Sequence, residues 1–212
     1  MMRKPLFMLW SLLPLIGLGY HFGPGQDAMR HDRAAVAIVK AEIAATQARA
    51  VAAKDGDAAA KAHWAEAEDA YSEAIAALGK DKTAEVRALR LERSKAQMFL
   101  GKLPEVRRDL EALVGEVAAD PSADPRLLSG ARDALANAHY YVTWLMRLEG
   151  LQREVWEPEI EASRQTYRLL AEDAERRGDL ASAKTAQENL ESAVRLARME
   201  LKDLQGLPLP SQ

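Results

Sequence analysis

Apolar and small residues recur at steps of three and four through most of this chain. Each such run is closed by glycine, proline or aspartate, and no stretch alternates with period two long enough for a strand. The pattern predicts seven helices and an all-α fold. The first, about residues 28–54, is very rich in alanine and ends at Asp55-Gly56-Asp57. The second, 58–78, carries Trp64, Ala67, Tyr71, Ala74, Ile75 and Leu78 on one stripe and closes at Gly79-Lys80-Asp81. The third, 83–100, ends at Gly101-Lys102-Leu103. The fourth opens with Pro104 in its first turn, where a missing N–H costs nothing. Its buried side reads Leu103, Val106, Leu110 and Leu113.

Two Asp-Pro pairs in residues 120–125 mark the clearest internal loop and favour an extended entry to the next helix. The fifth helix, 126–148, holds Tyr140, Tyr141 and Trp144 and stops at Gly150. Residues 151–157 read as a loop, Pro158 as the opening of a sixth helix to Arg177, and Gly178-Asp179 as a turn into a seventh. That last helix runs to about Leu204, and Gly206, Pro208 and Pro210 end it in a frayed tail.

Composition sharpens this picture. About a fifth of the chain is alanine, the strongest helix former and a residue that permits close helix approach. The formal net charge is −3 with the two signs interspersed, which leaves no electrostatic footprint for nucleic acid. The chain has no cysteine, which excludes disulfides, thiol catalysis, cysteine metal sites and a lipidated cysteine anchor.

The N-terminus reads as separate from the helical domain. Arg3-Lys4 precede an apolar run from Pro5 to Phe22. That run is short for a spanning helix, which takes about 20 residues with about 17 as a lower bound, and long for a signal-peptide core. Residues 1–26 therefore read as a signal anchor and short linker, or as a signal peptide cleaved near Gly17-Leu18-Gly19. Positive charge before the apolar segment sends the remainder across the membrane, although Arg30 and Arg33 lie beyond it. The expected site is a bacterial inner membrane with the domain in the periplasm, or the periplasm itself after cleavage. Gly23-Pro24-Gly25 reads as a flexible break before a helical domain over 27–205, with 206–212 as tail.

One stretch carries a resemblance. Tyr167-Arg168-Leu169-Leu170-Ala171, Ala174, Gly178-Asp179-Leu180, Ala183, Gln187 and Leu190 place bulky residues on one helix, a turn, then a small residue early in the next. The small-large-small spacing of Ala67, Tyr71 and Ala74 agrees. Together these residues resemble the tetratricopeptide repeat (TPR), a helix pair of about 34 residues that stacks into a solenoid. The resemblance covers about residues 58–205 and implies a TPR-like α-solenoid of about three hairpins with the first helix as cap. It also implies a protein-binding scaffold rather than an enzyme. One conflict of register stands: Ser163, Tyr167 and Leu170 suit a second helix of a repeat, while Tyr167, Leu170, Ala171 and Ala174 suit a first.

Chemistry is sparse. His21, His31, His63 and His139 show no metal-ligand spacing, and no metal or cofactor is expected. His139 reads as a half-exposed helical histidine. Carboxylates such as Glu154, Glu157, Glu159 and Glu161 read as a solvated face or as residues favouring a helix start, not as an acid–base pair. The charges of Arg164, Arg168 and Glu172, at steps of four, read as pairs along a solvated face.

Tyr140, Trp144 and Arg147 share one helix face and are residue types that dominate binding hot spots. If the fifth helix is the first of its repeat, the resemblance puts this face in the concave groove, with Lys95 and Met98 beside it. The plainer reading makes Tyr140 and Trp144 core, although the second stripe of Tyr141, Val142, Leu145 and Leu148 would then leave one stripe partly exposed. The expected function is a membrane-tethered adaptor in an envelope complex that takes a helix or extended segment of a protein partner. The alternative is a secreted or periplasmic protein binding a small apolar ligand near Trp144 and Trp156.

Overall fold

The computed structural model describes residues 24–79 and 83–204. The apolar segment 5–22 and the tail 206–212 lie outside the described residues. Among those described, the chain is all-helical: seven long helices and one final short turn. They are α1 (Pro24–Asp55), α2 (Asp57–Leu78), α3 (Thr83–Phe99), α4 (Leu103–Ala118), α5 (Pro125–Leu148), α6 (Arg153–Arg176), α7 (Leu180–Arg198) and α8 (Leu201–Leu204). The packing divides the chain into two compact units, one ending at Leu89 and the other beginning at Arg90.

The first unit is an alanine-lined hairpin. Helix α1 starts at Pro24, so Pro24 and Gly25 belong to it rather than to a flexible break; proline suits a first helical position. The buried face of α1 is Ala34, Ala37, Ala41, Ala44, Ala45 and Ala48. On α2, which packs along it, the buried positions are Ala60, Trp64, Ala67, Ala70, Tyr71, Ala74 and Leu78. Small facing side chains let two helices approach near the lower end of the 8–10 Å interaxial range. Trp64 and Tyr71 supply the bulk, with Arg49 over the Trp64 ring at 5.8 Å.

The second unit is organised around α5. Every residue from Ala136 through Thr143 is buried, so this stretch is covered on all sides. Helices α4 and α6 pack against α5, α7 packs on α6, and α8 touches α5. Helix α3 joins α4 through Arg90–Glu116 at 2.6 Å and Arg93–Asp109 at 3.7 Å. It also reaches α5, where Leu91 lies so near Gly130 that a Cβ there would meet it at 3.3 Å. The anticipated apolar side of α4 is buried, with Val117 extending it.

Three turns share one mechanism. Gly101, Gly150 and Gly178 have φ of 79°, 75° and 73°, a region open to glycine at little cost. At each, the following N–H reaches back five residues, Lys102 to Gln97, Leu151 to Met146 and Asp179 to Ala174, closing the helix in the same way. The turns at Gly150 and Gly178 are therefore both real. Ser163, Tyr167, Leu170, Ala171 and Ala174 are all buried because α6 packs on α5 and on α7 at once. That broad buried face explains why its sequence suits two repeat registers.

Helix α6 begins at Arg153, not at Pro158. Trp156 is buried, and Arg153 pairs with Glu157 across the first turn, so packing favours helix through the segment expected to be a loop. Pro158 then removes one internal hydrogen bond, a loss that burial of Trp156 and Ile160 offsets. Helix α7 ends at Arg198, where Met199 turns extended before α8.

Candidate functional site

Polar side chains tie α5 to α6. Tyr167 donates to Asn137 Oδ1 at 2.8 Å, Ser163 Oγ donates to the Ala136 carbonyl at 2.9 Å, and His139 Nδ1 lies 2.6 Å from Glu159 Oε2. Burial holds the Tyr167 hydroxyl far above the ordinary tyrosine range, so it stays a donor. The His139 hydrogen bond holds the Glu159 carboxyl below its ordinary value, against the opposing effect of burial; the charges of His139 and Arg107 add to the lowering. His139 is thus buried rather than half-exposed, and Glu159 sits against it rather than on a solvated face. The neighbouring helix α6 supplied the cover that sequence spacing alone did not reveal.

The five candidate groove residues do not form one open surface. Met98 and Tyr140 are buried, Tyr140 packing edge-on to Tyr141 with ring centroids 5.7 Å apart. Trp144 is partly buried, and its indole N–H finds no acceptor. Arg147 donates to the carbonyls of Leu196 and Met199 and lies 4.7 Å from the centre of the Trp156 ring. A cation there satisfies orphan carbonyls and favours the negative end of α7. Lys95 is more open and pairs with Glu92 at 2.7 Å. Neither aromatic stripe of α5 is exposed through residues 140–143; exposure begins at Leu145.

The open concave region lies at the other end of α5. Two adjoining hollows, of about 570 and 310 Å³, share Ser129, Gly130, Arg177 and Ser182. They lie where the N-terminal ends of α5 and α7 meet the C-terminal end of α6. Asp124 caps α5 by accepting from the Arg126 N–H at 2.8 Å, and Asp179 caps α7 by accepting from the Ser182 N–H at 3.1 Å. The Ser182 bonds hold the Asp179 carboxyl below its ordinary value, with help from the Arg177 charge. The smaller hollow has an apolar wall of Leu170, Ala174 and Ala186 and one carboxylate, Asp133. Burial raises the Asp133 pKa, and the nearby charge of Lys95 partly offsets it. Among the described residues, Asp133 accepts no hydrogen bond and neither Arg126 nor Arg177 forms an ion pair or side-chain hydrogen bond.

Of the five candidate binding residues, only Lys95 bears on this cleft, through its charge on Asp133. Asp133, Arg126 and Arg177 were missed because each looks like an ordinary surface charge along its own helix. The pair Asp124-Pro125 and the pair Gly178-Asp179 were legible as helix starts, but their convergence is tertiary. Among the described residues, no group of three or more His, Asp or Glu is placed to hold a metal ion. No described helix is long and apolar enough to cross a membrane. The chain matches no protein-family model, no curated protein and no solved structure.

Proposed function

We propose that this chain is a membrane-tethered, TPR-like helical adaptor that takes a segment of a partner protein in the cleft between α5, α6 and α7. The observation that carries the reading is the unmatched polarity of that cleft. Asp133 has no hydrogen-bond donor and lines the smaller hollow with Leu170, Ala174 and Ala186, while Arg126 and Arg177 line the larger one beside the capping carboxylates Asp124 and Asp179. That mixed lining favours a ligand that brings N–H donors to Asp133 and a hydrogen-bond acceptor to the arginines. A peptide segment offers both groups. The Lys95 charge acts on Asp133, and Trp144 stands further along α5 with its unmatched N–H.

The TPR-like arrangement is supported by successive hairpins, the repeated glycine turns and the fully buried small residues Ala67 and Ala74. The tether is supported by the apolar run 5–22 after Arg3-Lys4, which directs the domain to the periplasmic side of a bacterial inner membrane. Cleavage of that run gives the same domain free in the periplasm. A small apolar ligand is a second reading, favoured by a shallow, open hollow of about 510 Å³ lined by Leu190, Val194 and Met199 with Glu191, Arg195 and Arg198, and not by Trp144 or Trp156, where the sequence placed it.

A photo-reactive side chain at Ser129 of the full-length chain in its membrane tests the proposal. One discrete protein adduct is expected from Ser129, absent when the same group is placed at Glu73 and lost in an Asp133→Asn/Arg177→Ala variant. Adducts indifferent to that variant, or none at all, would contradict it. Alkaline extraction of the same membranes reports the tether separately.

A further inference from the structure

Helix α1 is built inside out. Its buried face is alanine, Ile38 and Val51 are half-buried, and its other bulky apolar residues Met29, Val36, Val39 and Ile43 are 58%, 71%, 55% and 54% exposed. An exposed apolar stripe, unlike a scattered exposed residue, calls for a partner. Met29, Val36 and Ile43 are spaced by seven, with Val39 between, so they occupy the a and d positions of a two-stranded coil seam. The alanines that pack in the hairpin fall on the opposite side, leaving the seam free for a second helix.

We infer that the occupant of this seam is α1 of a second copy of the chain, running parallel to the first. The direction follows from the chain outside the described residues: two copies tethered through the apolar run 5–22 in one membrane meet with the Pro24 ends of α1 on the same side. This support rests on the tether of the preceding reading.

The seam is short. Four side chains a copy fall well below the 20–30 residues a side of a standard interface. Asp32 occupies the d position between Met29 and Val36, and in a parallel pair it faces its own copy. The pairing is therefore weak in dilute solution and takes hold when a shared membrane raises the effective concentration. Asp32 acts as the brake on it.

The absence of native cysteine makes the test clean. Single cysteines are placed at Met29, Val36, Val39 and Ile43 of the full-length chain, and at His31 and Glu73 as exposed positions off the seam. Cells are then treated with a mild oxidant. Disulfide-linked dimers are expected at the seam positions and at neither control, with at least a tenfold contrast. Asp32→Leu, made in the Val36→Cys chain, should increase the dimer severalfold, and Ile43→Ser should abolish it. Equal crosslinking at all positions, or none at the seam, overturns the inference. A crosslink only between Met29 and Ile43 in mixed expression would show an antiparallel pair, and an adduct solely with another protein would show a different occupant; either overturns it. Fractionation of the same cells reports the tether, so loss of pairing with an intact tether counts against the seam itself.

Discussion

The α1–α2 hairpin and the α5–α6 pair solve the same packing problem in opposite ways. In the hairpin, small residues meet and nearly all the bulk comes from Trp64 and Tyr71. In the α5–α6 pair, aromatics fill the interior and buried side-chain hydrogen bonds tie one helix to the other. Alanine contacts permit close approach but offer few features that fix one alignment over a neighbouring one. A buried Tyr–Asn bond or His–Glu pair is satisfied in a single alignment, and misalignment leaves polar groups without partners. The second unit, with its alignment specified by buried polar ties, also carries the two adjoining hollows between α5, α6 and α7. The alanine hairpin leaves Met29, Val36, Val39 and Ile43 on the outside.

The sharpest way to break this contrast is to remove the aromatic keystone. Tyr167→Ala, fully buried, should cost about 3–5 kcal/mol, read as a fall in the denaturant midpoint. Ala41→Leu tests the other unit by overpacking a position that is 0% exposed. It should cost about 1–3 kcal/mol and splay the hairpin, whereas the same change at the exposed Ala65 should be nearly neutral. Tyr167→Phe keeps the ring and strands the Asn137 carbonyl, at about 1–3 kcal/mol. A loss close to zero would mean that the polar tie contributes nothing beyond packing.

The smallest effect is a pH dependence. Glu159 has a lowered folded-state pKa, so its contribution is present above the unfolded carboxylate value of about 4.3 and is lost as pH falls through the folded value. In Glu159→Gln that acid limb should flatten, seen by melting temperature against pH. An unchanged acid limb would place the shift elsewhere.

Much of the fold was legible along the chain. The helices were readable because alanine-rich periodicity and Gly or Asp-Pro punctuation act locally, and Gly150 and Gly178 mark their turns by the same backbone geometry. The start of α6 was not legible, since Pro158 is a strong local signal and the burial of Trp156 that overrides it is tertiary. Covering on all sides made Tyr140 core and His139 a buried partner, which one helix's periodicity cannot report. The cleft was the least legible part. Asp133 and Arg126 come from α5 and Arg177 from the turn after α6, and the spacing of none of them is unusual. In α1 the largest apolar residues marked the outer face and alanine the inner one, the reverse of the usual reading.

The most direct measurement compares partner capture in membranes by three full-length chains with matched thermal stability: wild type, Asp133→Asn/Arg177→Ala, and Trp144→Ala. If the cleft holds the partner segment, capture falls at least tenfold in the double variant and much less in Trp144→Ala. Capture that survives the double variant intact would contradict binding at the α5–α6–α7 cleft.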